Sequence, residues 1–156
     1  MKSIMLSIRP KWCALIANGR KTIEVRKTRP KIEPPFKVYI YCTKGGEPIW
    51  TTNYNRDGYL NGKVIGEYVC DSCERYGPPF LGLSHAGCVP APELYEYNRG
   101  GIGLYGWHIS DLVIYDTPKE LTDFNRPSDQ CDLLTGAPNI MMRPPQSWCY
   151  VQEIQE

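Results

Sequence analysis

Gly19-Arg20-Lys21-Thr22-Ile23-Glu24-Val25-Arg26 is the stretch on which the fold turns. Gly19 follows Asn18 and takes the left-handed backbone conformation at no steric cost, so it closes a helix. Thr22 to Arg26 then alternates strictly, with Ile23 and Val25 on one face of a strand and Thr22, Glu24 and Arg26 on the other. Cap, turn and strand therefore bring Arg20, Lys21, Glu24 and Arg26 close together along the chain.

Upstream, Trp12, Leu15 and Ile16 fall at i, i+3 and i+4 behind Pro10, a residue suited to the first helical position. This predicts a helix of about two turns. Ile4 to Ile8 before it reads as a strand. Downstream, Lys37 to Cys42, Lys63 to Asp71, Leu104 to Ile109, Leu112 to Tyr115 and Ser147 to Val151 carry the β-branched and aromatic enrichment of further strands. Residues 72–101 are rich in Gly, Pro and Ser and read as a long excursion with a helical turn at Glu93 to Tyr97. Pro118 to Phe124 reads as a capped turn, and residues 125–146 as mostly loop. The pattern is α+β: a small mixed β-barrel with one short N-terminal helix and long inserted loops.

At 156 residues the chain has the length of a single domain, 1–156. Fourteen Gly and fourteen Pro exclude a long-helix bundle, while 4 Trp and 11 Tyr supply the apolar area a core needs. No apolar run approaches the roughly 20 residues of a membrane span, and the N-terminus lacks a secretion signal, so the expected location is cytoplasmic, with no membrane partner. The net charge of +1 hides an asymmetry. Residues 1–44 carry 11 Lys or Arg against Glu24 and Glu33, a net of +9, and residues 45–156 a net of −8. A basic N-terminal segment suits a polyanion, unless folding pairs it with the later carboxylates.

The residues of the 19–26 stretch have matching chemistry. A Lys in a partly dry cleft loses its proton near neutrality and serves as base or nucleophile, Glu24 passes a proton, and Arg26 grips a phosphate in a bidentate fork. Equally, Glu24 can pair with Arg26 or Lys21 on a strand face. Among the large rings, Trp12 and Trp148 have apolar neighbours and suit the core, whereas Trp50, Tyr54 and Trp107 are available to stack on bases. Trp107 and His108 are strand neighbours, so one is buried and the other faces cleft or solvent. Seven cysteines without a secretion signal are expected as free thiols. Cys70-x-x-Cys73 with His85-x-x-Cys88 supplies four ligands of the type tetrahedral zinc takes, weighed against buried free thiols. No metal or other cofactor is assigned.

Gly19-x-Lys21-Thr22-x-Glu24-x-Arg26 after a short helix resembles the signature of the ASCH domain, a relative of the PUA domains. Leu6-Ser7-Ile8-Arg9-Pro10-Lys11-Trp12 resembles the family's opening strand and helix, and Lys63-Val64-Ile65-Gly66-Glu67 its central strand. Leu104 to Ile109 and Pro144 to Val151 are similar to small ASCH proteins of phage and prophage genomes. The resemblance implies a PUA-like barrel whose cleft, lined by residues 19–26, receives RNA or a modified nucleoside. The residues expected at a nucleic-acid contact are Arg9, Lys11, Arg20, Lys21, Arg26 and Trp107. One branch of the family hydrolyses the N-acetyl amide of acetylated cytidine with a Lys, a Thr and a Glu. Lys21 matches that Lys, Glu24 stands where the branch has Thr, and Glu67 is the candidate for its Glu, ahead of Glu74. Lys21, Glu24 and Glu67 are thus the catalytic candidates for an amidohydrolase or a ribonuclease. The remaining alternative is a phage accessory protein that contacts a host protein through the loops at 72–101 and 125–143.

Overall fold

The fold, taken from a computed structural model, is described for residues 2–49, 60–127, 129, 134 and 139–155. Trp50, Tyr54, Cys131 and much of the 125–143 loop lie outside these residues. The chain is α+β, and among the described residues six strands form one mixed sheet. Strand β1 (Lys2–Ile8) leads into helix α1 (Pro10–Ala17), then β2 (Ile23–Arg26), β3 (Phe36–Cys42) and β4 (Val64–Tyr76). Helices α2 (Leu81–Gly87) and α3 (Ala91–Asn98) precede β5 (Leu104–Lys119), a 3-10 turn at Leu121–Asp123 and β6 (Trp148–Gln152). The strand order is β2-β5-β4-β3-β1-β6, so β2 and β6 are its two ends, and among the described residues the expected barrel does not close. No helix of the described residues is long and apolar enough to cross a membrane.

Two compact units divide the chain. One comprises residues 1–14, 37–68 and 113–156. In it β1 runs parallel to β3, from Ile4↔Val38 to Ile8↔Cys42, and antiparallel to β6, from Lys2↔Gln152 to Leu6↔Trp148. Parallel neighbours need a crossover, and α1 with β2 supplies it. Flanked on both sides, β1 buries every residue after Lys2, including Ile4, Met5, Leu6 and Ile8. Met5, Tyr39, Val64, Phe124 and Met141 pack in one cluster, with the Tyr39 and Phe124 rings edge to face at 4.9 Å.

The other unit comprises residues 15–36 and 69–112. Here β2 pairs antiparallel with β5, Ile23↔His108 through Arg26↔Tyr105. Ile23 and Val25 meet Phe80, Leu83, Leu94 and Leu104 in a second cluster, which seats α2 and α3 against β2. Burying each of the three leucines contributes about 1.5–3 kcal/mol. A Cβ on Gly106 would come within 3.1 Å of Tyr76, Ile23 and Leu83, so a bare backbone at this point lets the cluster close.

Several expectations shift in detail. Helix α1 ends as read, with Gly19 at φ 80 and its N–H on the Ile16 carbonyl. The 72–101 excursion instead holds the end of β4 and two helices, so the described residues hold three helices rather than one. The two strands expected either side of Ser110-Asp111 are a single strand, because Asp111 absorbs the break with a left-handed φ of 48.

Candidate nucleoside and nucleic-acid site

The 20–22 segment is held by main-chain hydrogen bonds from three elements. Lys21 N–H donates to the Leu15 carbonyl at the end of α1, Thr22 N–H to the Ala86 carbonyl of α2, and Ile109 N–H of β5 to the Thr22 carbonyl, each at 2.9 Å. The Cys88 thiol donates to the Arg20 carbonyl at 3.3 Å. These bonds fix where the Lys21 side chain starts.

Lys21 is 2% exposed, Glu24 4% and Arg26 9%, so three charged groups share one buried place. Arg26 donates to Glu24 Oε1 through Nε at 3.1 Å, and its Nη2 lies 2.9 Å from the same oxygen. The Lys21 ammonium donates to the Gly87 carbonyl at 2.5 Å and lies 3.4 Å from Glu24 Oε2 as an ion pair. That oxygen is buried and receives no hydrogen bond. Gly87 makes the arrangement possible: a Cβ there would press on Val25 at 3.1 Å and approach the Lys21 ammonium at 3.7 Å. Removing ions of this size from water costs several kcal/mol each, so they persist only because they compensate one another.

Tyr97 of α3 lies with its ring beneath the ammonium of Lys27, the residue after Arg26, at 4.7 Å. Burial pushes its phenol up, against the pull of the nearby Arg26 charge.

Residues 6–98 match the ASCH domain, which is more than half of the chain. The chain belongs to the ASCH domain family. The crystal structure of the ASCH protein from Zymomonas mobilis superposes with a TM-score of 0.65 at 17% identity, covering 97% of this chain and 88% of that one. A serine-to-alanine variant of that protein gives 0.63 at 17% identity, covering 97% and 89%. Its tyrosine-to-phenylalanine variant gives 0.63 at 17% identity, covering 98% and 92%. At that identity the likeness is one of fold. No curated protein matches the chain.

The ASCH domain brings together Lys21, Glu24 and Arg26 of the residues singled out from the sequence, with Arg20 exposed beside them. Arg9 and Lys11 are exposed in the other unit, where the Lys11 ammonium lies 4.5 Å over the Trp12 ring. Glu67 also belongs to that unit: it pairs with Lys37 at 3.2 Å and accepts the Tyr115 hydroxyl at 2.5 Å. Glu74 is exposed and accepts from Ser72. Trp107, expected at a nucleic-acid contact, is corrected to a core residue. It is 0% exposed, donates through Nε1 to the Thr28 carbonyl and meets Phe36 edge to face at 5.8 Å. His108 is its outward neighbour, 2.6 Å from Asp71 Oδ1, with the Ser110 hydroxyl on Asp71 Oδ2 at 2.9 Å.

The four residues weighed for zinc do other things. The buried Cys70 thiol donates to the Ser72 carbonyl at 3.2 Å and is pushed up by the neighbouring Cys73 thiol and by burial, while the Cys88 thiol donates to the Arg20 carbonyl and His85 is exposed. Among the described residues no three His, Cys, Asp or Glu side chains are grouped to hold a metal ion. The basic N-terminal segment is partly neutralised as weighed, through Lys2 with Asp129 and Lys37 with Glu67 and Glu153. Sequence reasoning missed Gly87 and Tyr97. The sequence predicts a helical turn at Tyr97, but nothing local ties it to residues 19–26.

Proposed function

We propose that this ASCH domain binds RNA or a modified nucleoside at its Gly19-x-Lys21-Thr22-x-Glu24-x-Arg26 segment. The observation that carries the reading is the buried Glu24 carboxylate, whose Oε1 is fully engaged by Arg26 while Oε2 receives no hydrogen bond. An unmade hydrogen bond at a buried acceptor costs about 1–3 kcal/mol, more when the acceptor is charged. A nucleobase amino group or a ribose hydroxyl is a donor of the kind that recovers it once the segment opens, since that oxygen is closed to solvent in the free protein. The exposed Arg20 and Lys27 beside the segment suit phosphate, which positions a nucleic acid without reading its bases.

Catalysis is the extension of the same reading. Lys21 and Glu24, at 3.4 Å, are spaced for proton transfer to the leaving group of an amide or a phosphodiester. The family membership and the polyanion-suited N-terminal charge support binding; turnover rests on the Lys21–Glu24 spacing alone.

The test is parallel incubation of wild type and Lys21→Ala with labelled single-stranded RNA and with acetylated cytidine, scoring complex and product. Complex that forms with wild type and weakens in the variant supports a binding module. Product from wild type alone makes the domain an enzyme working through Lys21. If wild type gives neither, the reading is rejected.

A further inference from the structure

We infer that Tyr97 is the base-stacking surface of this site, and that the ligand it selects is an unpaired nucleotide of single-stranded RNA. The inference rests on the proposed ligand site at residues 19–26. Tyr97 lies in the last turn of α3, with 39% of its surface open. The Lys27 ammonium lies 4.7 Å over its ring, and Lys27 follows Arg26 directly along the chain, so the ring stands at the edge of the 19–26 segment. The ring is thus partly exposed and carries a cation from the residue that follows Arg26.

The geometry offers a base two features at once. Stacking on a ring strengthens binding about 5- to 150-fold per base and tolerates any base, because every base has a flat π face. The Lys27 ammonium now over the ring contributes only about 2- to 5-fold in an exposed cation–π contact. The larger effect wins. A base takes the ring, and the displaced Lys27 is free to meet the phosphate of the same nucleotide. An aromatic face beside a cation on a flexible stem is how proteins track single strands. Paired bases in a duplex have no face to give, so duplex RNA is excluded from the ring.

The experiment measures fluorescence anisotropy of a labelled oligouridine and of an abasic oligomer with the same ribose-phosphate backbone. The proteins are wild type, Tyr97→Leu, Tyr97→Phe and Lys21→Ala. Tyr97→Leu is expected to weaken oligouridine about 5- to 100-fold and leave the abasic oligomer unchanged, while Tyr97→Phe stays within about twofold of wild type. The inference is overturned if Tyr97→Leu changes neither oligomer, if it weakens both equally, or if Tyr97→Phe loses as much as Tyr97→Leu. Lys21→Ala separates the two levels. If it weakens binding of both oligomers while Tyr97→Leu does nothing, the site stands and the stacking role falls. If it changes nothing while Tyr97→Leu weakens oligouridine alone, the stacking stands and the Lys21 site falls. Wild type that binds neither oligomer overturns both.

Discussion

Glu24 divides its two oxygens unequally between two cations: Arg26 holds Oε1 at 2.9–3.1 Å, and Lys21 faces Oε2 from 3.4 Å without a hydrogen bond. Removing the shared anion and removing one cation therefore have different consequences. Glu24→Gln leaves two buried cations without a countercharge and is expected to cost about 3–5 kcal/mol. Lys21→Met leaves Glu24 paired with Arg26 and takes a donor from the Gly87 carbonyl, which costs about 1–3 kcal/mol. Urea denaturation of both variants gives the order directly, and equal losses would contradict the unequal sharing.

Three glycines separate steric need from mere tolerance. A Cβ on Gly66 of β4 would stand 2.3 Å from the Val113 carbonyl oxygen, a backbone atom that cannot rotate away. Gly66→Ala is therefore expected to cost about 3 kcal/mol or more by displacing the strand. At Gly106 the obstacles are side-chain atoms of Tyr76, Ile23 and Leu83, and Gly106→Ala should cost about 1–3 kcal/mol. Gly82 in α2 has nothing within 4 Å, so Gly82→Ala should stabilise by about 0.4–1 kcal/mol. Thermal melts of the three variants should show two losses and one gain.

Much of this architecture was open to local reading, and its failures have a common cause. The turn at Gly19 and the strand after it follow from one glycine and one period-two alternation, both properties of neighbouring residues. Helix α2 is bounded by Phe80 at φ 59 and Cys88 at φ 54, left-handed residues of types that do not advertise that conformation. Ser110-Asp111 looks like a turn and is not one, because strand pairing carries β5 through it. Parity puts Trp107 and His108 on opposite faces but does not say which face is the core. The site divides in the same way. Lys21, Glu24 and Arg26 lie in one motif, whereas the Gly87 carbonyl that receives the Lys21 ammonium is 66 residues away.

Asp71 gives the fold an acid-sensitive contact. The His108 ring nitrogen at 2.6 Å, helped by the Ser110 hydroxyl, holds the Asp71 carboxyl below the usual carboxylate range, against a smaller opposing effect of desolvation. A carboxyl lowered on folding stabilises the native state above its unfolded pKa of about 4 and loses that contribution as pH falls through the folded value. Asp71→Asn should accordingly be less stable than wild type near pH 6, with the gap closing toward pH 2. Because both side chains are nearly half exposed, added salt should shrink the gap at pH 6. A gap that widens on acidification would refute the assignment.

Lys37 supplies the opposite limb. Burial alone pulls its ammonium down, but hydrogen bonds to Glu67 and Glu153, each at 3.2 Å, overcome that and leave it raised above its ordinary value. A cation raised on folding contributes fully below its unfolded pKa of about 10.4 and loses the contribution as pH rises through the higher folded value. Glu67→Gln removes one of the two carboxylates that hold Lys37 and turns the acceptor of the Tyr115 hydroxyl into a neutral amide. The variant should be destabilised at pH 7 by about 1–2 kcal/mol, and its alkaline unfolding should begin at lower pH than that of wild type. The same variant addresses the catalytic candidacy of Glu67. If it loses stability in this way yet keeps wild-type binding and turnover with the ligands used for Lys21, the carboxylate serves Lys37 and Tyr115. If instead turnover disappears while stability is unchanged, Glu67 acts on substrate and its ion pair is incidental.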